Sequence, residues 1–342
     1  MGKIRKKIVV ILLTMTMLFV MVACGNNNST NGSSKAGNEM ENDTAQTTPT
    51  PAEDELQIDA VGDVKIPSQE EALEILGLKE VPNSVLCVTY NTTIIAYNLG
   101  MEITGTVTTT RPLPEKLKDT PTIGVVTGRA DFDFEKIVAL AGDVVLADAQ
   151  YETKLKPTLD QQGIASCYVD TGDLHKLQEA LAVLGSAFGK RDETIELLTQ
   201  WQTDIQAMQS EIAGKDSPVV LVIRKAATMA TSASYVGSLF KALNITCATD
   251  KMELADATAT YVPIDAEKIL AVDPDYILIP GGAELEGDIA MLNELMTSEA
   301  WASLSAVQNK KVIAVTDTYY QPIADMDCIK AMQELIDVVY AD

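Results

Sequence analysis

The chain has 342 residues and a formal net charge of −23, from 49 acidic residues against 26 lysines and arginines. The basic residues form no cluster beyond the first few positions, which argues against nucleic acid as a partner. With 46% hydrophobic and only 5% aromatic residues, the sequence is long and apolar enough for two lobes with aliphatic cores.

The N-terminus has the layout of a secretory signal. Four basic residues among the first seven precede an apolar run over 8–21, which is too short for a comfortable membrane-spanning helix. The run ends in Val-Ala-Cys24-Gly, which resembles the lipobox of bacterial lipoproteins, although Met21 replaces the usual leucine. We therefore expect a signal peptide over 1–23, a lipid on Cys24 and a location on the extracellular face of the cell membrane. A plain signal peptide or an uncleaved anchor helix is the alternative.

The next segment, 24–58, consists largely of Asn, Ser, Thr, Gly, Pro and acidic residues. So few apolar side chains cannot offset the loss of chain entropy on folding. We therefore expect a disordered tether between the lipid bilayer and the folded part of the chain.

Strands and helices alternate along the first half of the folded part. The β-branched run at 84–89 predicts a buried strand, and a helical segment ends near 98–100. Helical periodicity at 134–140 precedes a second buried strand at 143–147. This alternation predicts a parallel sheet that is covered by helices on both faces.

The second half has the same order of elements. A strand at 219–223 is followed by a helix at 235–243, and a helical segment at 264–272 precedes a strand at 275–279. At an offset of 132 residues the two halves share identical residues in one short window, which predicts two related lobes. The identical pairs are Asp133 and Asp265, Glu135 and Glu267, Lys136 and Lys268, Ile137 and Ile269, Ala139 and Ala271, Asp143 and Asp275, and Leu146 and Leu278.

A long helical stretch separates the two halves. It covers 174–213 with a break near Gly189, and its second part has apolar residues at spacings of three and four. We therefore predict an α/β fold with two related lobes and mostly parallel sheets, joined by a single long α-helix, with the ligand cleft between the lobes. The predicted boundaries are 59–190 for the N-terminal lobe, 191–214 for the inter-lobe helix and 215–342 for the C-terminal lobe.

The cysteines and the histidine do not form a metal site. Four cysteines besides Cys24 lie singly in apolar sequence, and we predict that they are buried free thiols rather than disulfides. The sole histidine, His175, falls in a helical stretch without partners at metal-ligand spacing, so we expect it on the surface. The four cysteines are Cys87, Cys167, Cys247 and Cys328.

Together these features resemble a known family. The chain combines a lipoprotein signal, a tether and two lobes about a long helix, and each lobe has the sequence EKI(V/L)A before a strand. This arrangement is similar to the helical-backbone class of ABC-importer substrate-binding lipoproteins. That family carries ferric siderophores, heme and cobalamin, and within it the sequence most resembles the heme and iron uptake lipoproteins of Gram-positive bacteria. The resemblance extends from residue 84 to the C-terminus and is strongest at 235–243, 266–278 and 309–315. It implies a monomeric binding protein that is not an enzyme, has no cofactor and binds an iron chelate.

The resemblance also implies which residues meet the transporter. In this family a glutamate on the outer surface of each lobe docks with arginines of the permease, and Glu135 and Glu267 stand at the matching positions. The internal repeat independently pairs the same two residues. Charge pairs at such a surface steer association and set the register of docking. A solvated acid on a helix is the alternative for each glutamate.

The heme-carrying members of the family hold the heme iron between a methionine and a histidine. Neither side chain is present in the corresponding segments of this chain, near 127–129 and 281–282. Heme iron needs a suitable axial ligand, so the resemblance favours a ferric siderophore over heme bound in that manner. Cobalamin is a further alternative.

Ligands of open α/β lobes bind at the carboxyl ends of the strands, where the loops of the two lobes face each other. Arginine pairs there with carboxylate or catecholate oxygens, and tyrosine offers a flat ring with a polar tip or a hard ligand for heme iron. The candidate ligand-binding residues are Tyr90, Arg111, Arg129 and Tyr151 in the first lobe, and Arg224, Lys225, Tyr235, Tyr319 and Tyr320 in the second.

Two other classes of function share some of these features. An exported hydrolase is disfavoured because the sequence has no Gly-x-Ser-x-Gly motif and because His175 is badly placed for a catalytic triad. A lipoprotein that senses its ligand without transporting it would show the same sequence features. A neighbouring permease and ATPase gene would distinguish transport from sensing alone.

Overall fold

The computed structural model describes residues 58–126, 132–224, 228–281, 297–298, 301–321 and 323–341. The predicted signal peptide, the predicted lipidation site Cys24 and the predicted tether up to residue 57 lie outside the described residues. The candidate ligand-binding residues Arg129 and Lys225 lie outside them as well.

The described part of the first lobe has a short hairpin, a parallel sheet and helices on both faces of that sheet. Its strands are β1 (Ala60–Val61), β2 (Val64–Lys65), β3 (Ser84–Cys87), β4 (Glu102–Gly105), β5 (Val144–Asp148) and β6 (Ser166–Val169). Its helices are α1 (Gln69–Leu76), α2 (Tyr90–Asn98), α3 (Phe134–Leu140) and α4 (Glu152–Gln161). The sheet has the parallel strand order β4-β3-β5-β6. Its central strand β5 is buried along its whole length, as its apolar sequence predicts.

The two lobes are joined by a helical pair. The first helix, α5 (Leu174–Ala187), is followed by Gly189, whose φ of 68° is a left-handed conformation that glycine adopts readily at a helix end. The second helix, α6 (Arg191–Glu211), is the long inter-lobe helix that the sequence predicts. At 1.5 Å per residue it is roughly 32 Å long.

The described part of the second lobe has a sheet that is mostly parallel. Its strands are β7 (Val219–Arg224), β8 (Thr228–Ala230), β9 (Thr246–Cys247), β10 (Tyr261–Pro263), β11 (Tyr276–Pro280) and β12 (Val312–Val315). Its helices are α7 (Tyr235–Ala242), α8 (Ala266–Val272), α9 (Ser305–Gln308) and α10 (Cys328–Val339). The order β9-β7-β11-β12 is parallel, whereas β8 pairs antiparallel with β7 and β10.

The structure confirms the internal repeat. The parallel orders β4-β3-β5-β6 and β9-β7-β11-β12 are equivalent, and α3 and β5 recur as α8 and β11 at the 132-residue offset of the sequence. In both repeats an aspartate caps the helix. The Asp133 carboxylate accepts a hydrogen bond from the Lys136 N–H at 3.2 Å, and the Asp265 carboxylate accepts one from the Lys268 N–H at 3.1 Å.

A second matched pair of carboxylates forms hydrogen bonds with the backbone at the start of the first parallel strand in each lobe. Asp143 accepts hydrogen bonds from the backbone N–H groups of Asn83 at 2.8 Å and Ser84 at 3.2 Å. Asp275 accepts one from the Val219 N–H at 2.8 Å. The bond from Asn83 is the largest cause that lowers the pKa of Asp143. The aspartates that the repeat has in common therefore carry equivalent structural contacts in both lobes.

The two lobes share a hydrophobic core. One cluster of buried residues extends from β1 and α5 through α6 to α7 and α10, while the outer face of each sheet has a cluster of its own. Trp201 and Met208 of α6 belong to the shared cluster. A core that is continuous between the lobes resists wide movement of one lobe against the other.

The cysteines and the histidine lie where the sequence predicts. Cys87, Cys167, Cys247 and Cys328 are buried free thiols. Burial raises the pKa of Cys167 to about 12, so this thiol stays protonated near neutral pH. His175 is exposed on α5, and its Nε2 lies 3.4 Å from Glu179. Over the described ranges, no helix combines the length and the apolar character needed to cross a membrane.

Candidate ligand-binding site

A cavity of about 480 Å³ lies between the two lobes. Its first-lobe wall is formed at the carboxyl ends of β3 and β5, the edge at which ligands of α/β lobes bind. Gln321 and Ile323, from the segment between β12 and α10, form the opposite side. A cavity of this volume is suited to a small organic ligand or chelate.

Three of the predicted ligand-binding residues line this cavity together: Tyr90, Arg111 and Tyr151. The Arg111 guanidinium carbon lies 3.7 Å from the centre of the Tyr90 ring, a cation–π contact. The Tyr90 hydroxyl donates a hydrogen bond to the Pro112 carbonyl at 3.2 Å. The Tyr151 ring meets the Phe132 ring edge to face at 5.3 Å. Burial raises the pKa of both tyrosines.

Arg111 also joins the two lobes. Its Nη2 lies 2.8 Å from the Asp325 carboxylate, in the segment that precedes α10. Asp325 is only 4% exposed, and its other oxygen accepts a hydrogen bond from the Asp327 N–H at 2.9 Å. Burial raises the pKa of Asp325, and the Arg111 guanidinium opposes that rise. Arg111 Nε has no hydrogen-bond partner among the described residues.

A backbone hydrogen bond joins the lobes next to this ion pair. The Ala324 N–H donates to the Thr171 carbonyl at 2.7 Å, so the segment before α10 contacts the loop that follows β6. Sequence reasoning missed Asp325, because this acid lies outside the repeated window and far from Arg111 along the chain.

The most deeply buried polar residues of the cavity wall are Asn91 and Asp148, which we call the polar floor. Each is 3% exposed. Asn91 belongs to the first turn of α2, and Asp148 ends β5. The Asn91 amide donates to Asp148 Oδ1 at 3.3 Å and to the Thr171 hydroxyl at 2.9 Å. Sequence reasoning missed both residues, although Asp148 follows directly from the rule that ligands bind at the ends of parallel strands.

The other described candidates lie outside the cavity wall. Tyr235 and Tyr320 are each 1% exposed and belong to the shared core, where the Tyr320 hydroxyl donates to the Ala331 carbonyl at 3.3 Å. Tyr319 is half-buried and packs against that core, and Arg224 is buried beside the ring of Tyr261. The buried side chains of Arg224, Tyr235 and Tyr320 turn into the protein where the sequence suggested that they face the cleft, whereas the partly exposed Tyr319 stays a prediction.

The two predicted docking residues occupy equivalent places. Glu135 lies in the first turn of α3 and Glu267 in the first turn of α8, and both side chains are exposed. The structure therefore places one exposed carboxylate at the same point of each lobe. The lysine that follows each glutamate, Lys136 or Lys268, pairs with the aspartate that caps the helix, Asp133 or Asp265.

Comparison with solved structures shows that the fold is shared with known binding proteins. The structure of an ABC transporter substrate-binding protein from Listeria monocytogenes EGD-e matches with a TM-score of 0.67 and 23% identity, over 77% of this chain and all of that one. The heme complex of IsdE from Staphylococcus aureus matches with a TM-score of 0.64 and 24% identity, over 75% of this chain and 98% of the other. The periplasmic heme-binding protein HutB of Vibrio cholerae matches with a TM-score of 0.62 and 18% identity, over 75% and 98%.

Sequence comparison agrees with the fold. The high-affinity heme uptake system protein IsdE of Staphylococcus aureus is 26% identical over 280 residues, which are 80% of this chain and 91% of that protein. The family model described as "Periplasmic binding protein" matches residues 85–319, well over half of the chain. The chain therefore belongs to the periplasmic binding protein family.

Proposed function

We propose that the chain is the lipid-anchored substrate-binding protein of an ABC importer, which captures an iron chelate and delivers it to the membrane permease. The observation that carries this proposal is the cavity between the lobes, whose wall combines tyrosine rings, threonine hydroxyls and a guanidinium group. Such a wall offers flat apolar contact together with a few oriented polar groups, as sites for small ligands do. In this role the protein acts by binding alone, as a monomer and without a cofactor.

A ferric siderophore is the first candidate ligand and heme is the second. Heme is supported by the relatives IsdE, a heme uptake protein, and HutB, a heme-binding protein. Among the described residues of the wall there is no histidine or methionine, so heme iron would need the phenolate of Tyr90 or Tyr151. Burial raises the pKa of both phenols, which opposes the loss of the proton that such a bond requires. A siderophore supplies the iron ligands itself, so a ferric siderophore is favoured over heme as the ligand.

Capture of the ligand involves a small movement that closes the two lobes around the cavity. A ligand that touches both walls of the cavity stabilises the closed arrangement by its differential affinity for that arrangement. The Arg111–Asp325 ion pair and the bond from Ala324 to Thr171 already hold the lobes together beside the cavity. The shared core and the unbroken α6 likewise favour a clamp of small amplitude.

Delivery depends on the two exposed glutamates. Glu135 and Glu267 stand at the same point of two related lobes, so a permease with two related subunits or halves would meet them at equivalent arginines. Their role is to set the register and the rate of docking. Anchoring through a lipid on Cys24 would keep the protein at the membrane surface where the permease lies.

A ligand titration of the compact unit Glu55–Asp342 tests the capture proposal. Intrinsic tryptophan fluorescence and visible absorbance are followed while hemin, cobalamin, or ferric catecholate and hydroxamate siderophores are added. We expect saturable binding of a ferric siderophore with a Kd of about 1 µM or tighter, and no Soret shift with hemin. Saturable hemin binding with a Soret shift would make heme the ligand. Failure of every chelate to bind would contradict capture of an iron chelate.

A further inference from the structure

Within the part of the chain that the structure describes, two oxygen atoms of the polar floor have no hydrogen-bond partner. Asn91 Oδ1 and Asp148 Oδ2 are both buried, and neither accepts a hydrogen bond from a described residue. Buried polar atoms in folded proteins are nearly always paired, because an unpaired one loses its hydration without compensation. Both residues line the cavity, and the two oxygens themselves have almost no accessible surface, so a small movement of the cavity wall would bring a ligand group into contact with them.

The hydrogen-bond network fixes the chemistry of the two atoms. The Asn91 amide nitrogen faces Asp148 Oδ1 at 3.3 Å and Thr171 Oγ1 at 2.9 Å. An ionised carboxylate only accepts hydrogen bonds, so the nitrogen of Asn91 must be on this side and its oxygen must be on the other. The polar floor therefore presents two acceptors and no free donor.

The charges around the cavity favour a cationic group at this place. The Arg111 guanidinium is neutralised by Asp325 at 2.8 Å, so it does not compensate the charge of the Asp148 carboxylate. Burial raises the pKa of Asp148, and the side chains of Thr89 and Asn91 oppose that rise. A positive group of the ligand would supply the missing partner.

From this geometry we infer that the captured ligand presents an amine, as its ammonium form, to Asn91 Oδ1 and Asp148 Oδ2. The inference rests on the proposed capture of a chelate in this cavity and specifies its chemical class. The ligand is therefore an iron chelate with an amine-bearing arm. Heme does not belong to this class, because its free polar groups are carboxylates, which Asp148 repels.

Three ferric trihydroxamates that differ at a single group test the inference on the full-length protein in detergent. The first has a linear backbone with a terminal primary amine, the second has that amine acetylated, and the third has it succinylated. We expect the amine form to bind at least about 10-fold more tightly than the acetylated form, and the succinylated form to bind weakest. Because only the ligand changes, this comparison does not depend on the folding of a variant.

Two variants assign the preference to the polar floor. Asp148→Asn keeps the size of the side chain, and we expect this variant to bind the amine form and the acetylated form equally. Asp160→Asn makes the same change at an exposed position on α4 and should behave as the wild type.

Equal binding of the three forms by the wild type, or an amine preference that survives in Asp148→Asn, would overturn the inference and leave the capture proposal intact. Binding of hemin alone would overturn it in favour of heme. Binding of no chelate at all would contradict both proposals.

Discussion

Uptake of the chelate by cells should fall at least about 10-fold when Glu135 and Glu267 are both changed to lysine, because like charges would then face the arginines of the permease. Binding of the chelate by the purified double variant should stay within about twofold of the wild type, because both side chains are exposed and lie outside the cavity wall. Uptake of radioactive iron and a binding titration of the same variant measure the two effects.

A matched control separates docking from a general effect of charge. Glu74→Lys with Glu196→Lys makes the same change in net charge at two exposed positions on α1 and α6. We expect this control to transport iron as the wild type does. If the two double variants lose uptake equally, or if the first one retains it, Glu135 and Glu267 do not form the docking surface.

Replacing Arg111 with alanine should lower the free energy of unfolding by about 2–4 kcal/mol, because it leaves the buried Asp325 carboxylate without its cationic partner. Adding Asp325→Asn to this variant should recover part of the loss, because no uncompensated charge then remains. Chemical denaturation of the two single variants and the double variant measures the coupling. Additive losses would show that the ion pair does not stabilise the junction of the lobes.

The loss in Arg111→Ala should also depend on pH. Burial already raises the pKa of Asp325, and removal of the guanidinium raises it further. A carboxyl whose pKa is higher in the folded state binds its proton more tightly there, so the folded state loses stability as the pH rises above the unfolded pKa. We therefore expect a smaller loss at about pH 4.5 than at about pH 7.5. An equal loss at both pH values would mean that Asp325 is not the residue affected.

Much of the fold could be predicted because the repeat marks positions with local structural roles. Asp133 and Asp265 cap equivalent helices, and Asp143 and Asp275 fasten equivalent strands. Such contacts depend on residues close in sequence or on the first strand of the same lobe. A window of identical residues was therefore sufficient to predict two related lobes.

The candidate site was predicted only in part, because the direction of a side chain at a strand end depends on packing between elements. Tyr90 and Tyr151 face the cavity, whereas Tyr235 and Tyr320 turn into the shared core. All four follow or precede strands in a similar manner in the sequence.

The contacts across the lobes could not be predicted at all. Asp325 meets Arg111 only because the segment before α10 returns to the first lobe. The sequence suggests that Asn91 is one residue of a polar loop after a strand, whereas it belongs to the first turn of α2, and its place in the polar floor depends on Asp148 and Thr171. Pairings over such sequence distances require the folded arrangement.

Blocking the cavity tests the central claim most directly. Gln150 is an exposed residue of the cavity wall, so Gln150→Trp places a large ring in the cavity without disturbing the core, and Gln161→Trp makes the same change on α4 outside it. Titration of both variants with the chelate that the wild type binds should show at least about 10-fold weaker binding for Gln150→Trp and unchanged binding for Gln161→Trp. Wild-type affinity in Gln150→Trp would contradict the claim that the ligand is held between the lobes in this cavity.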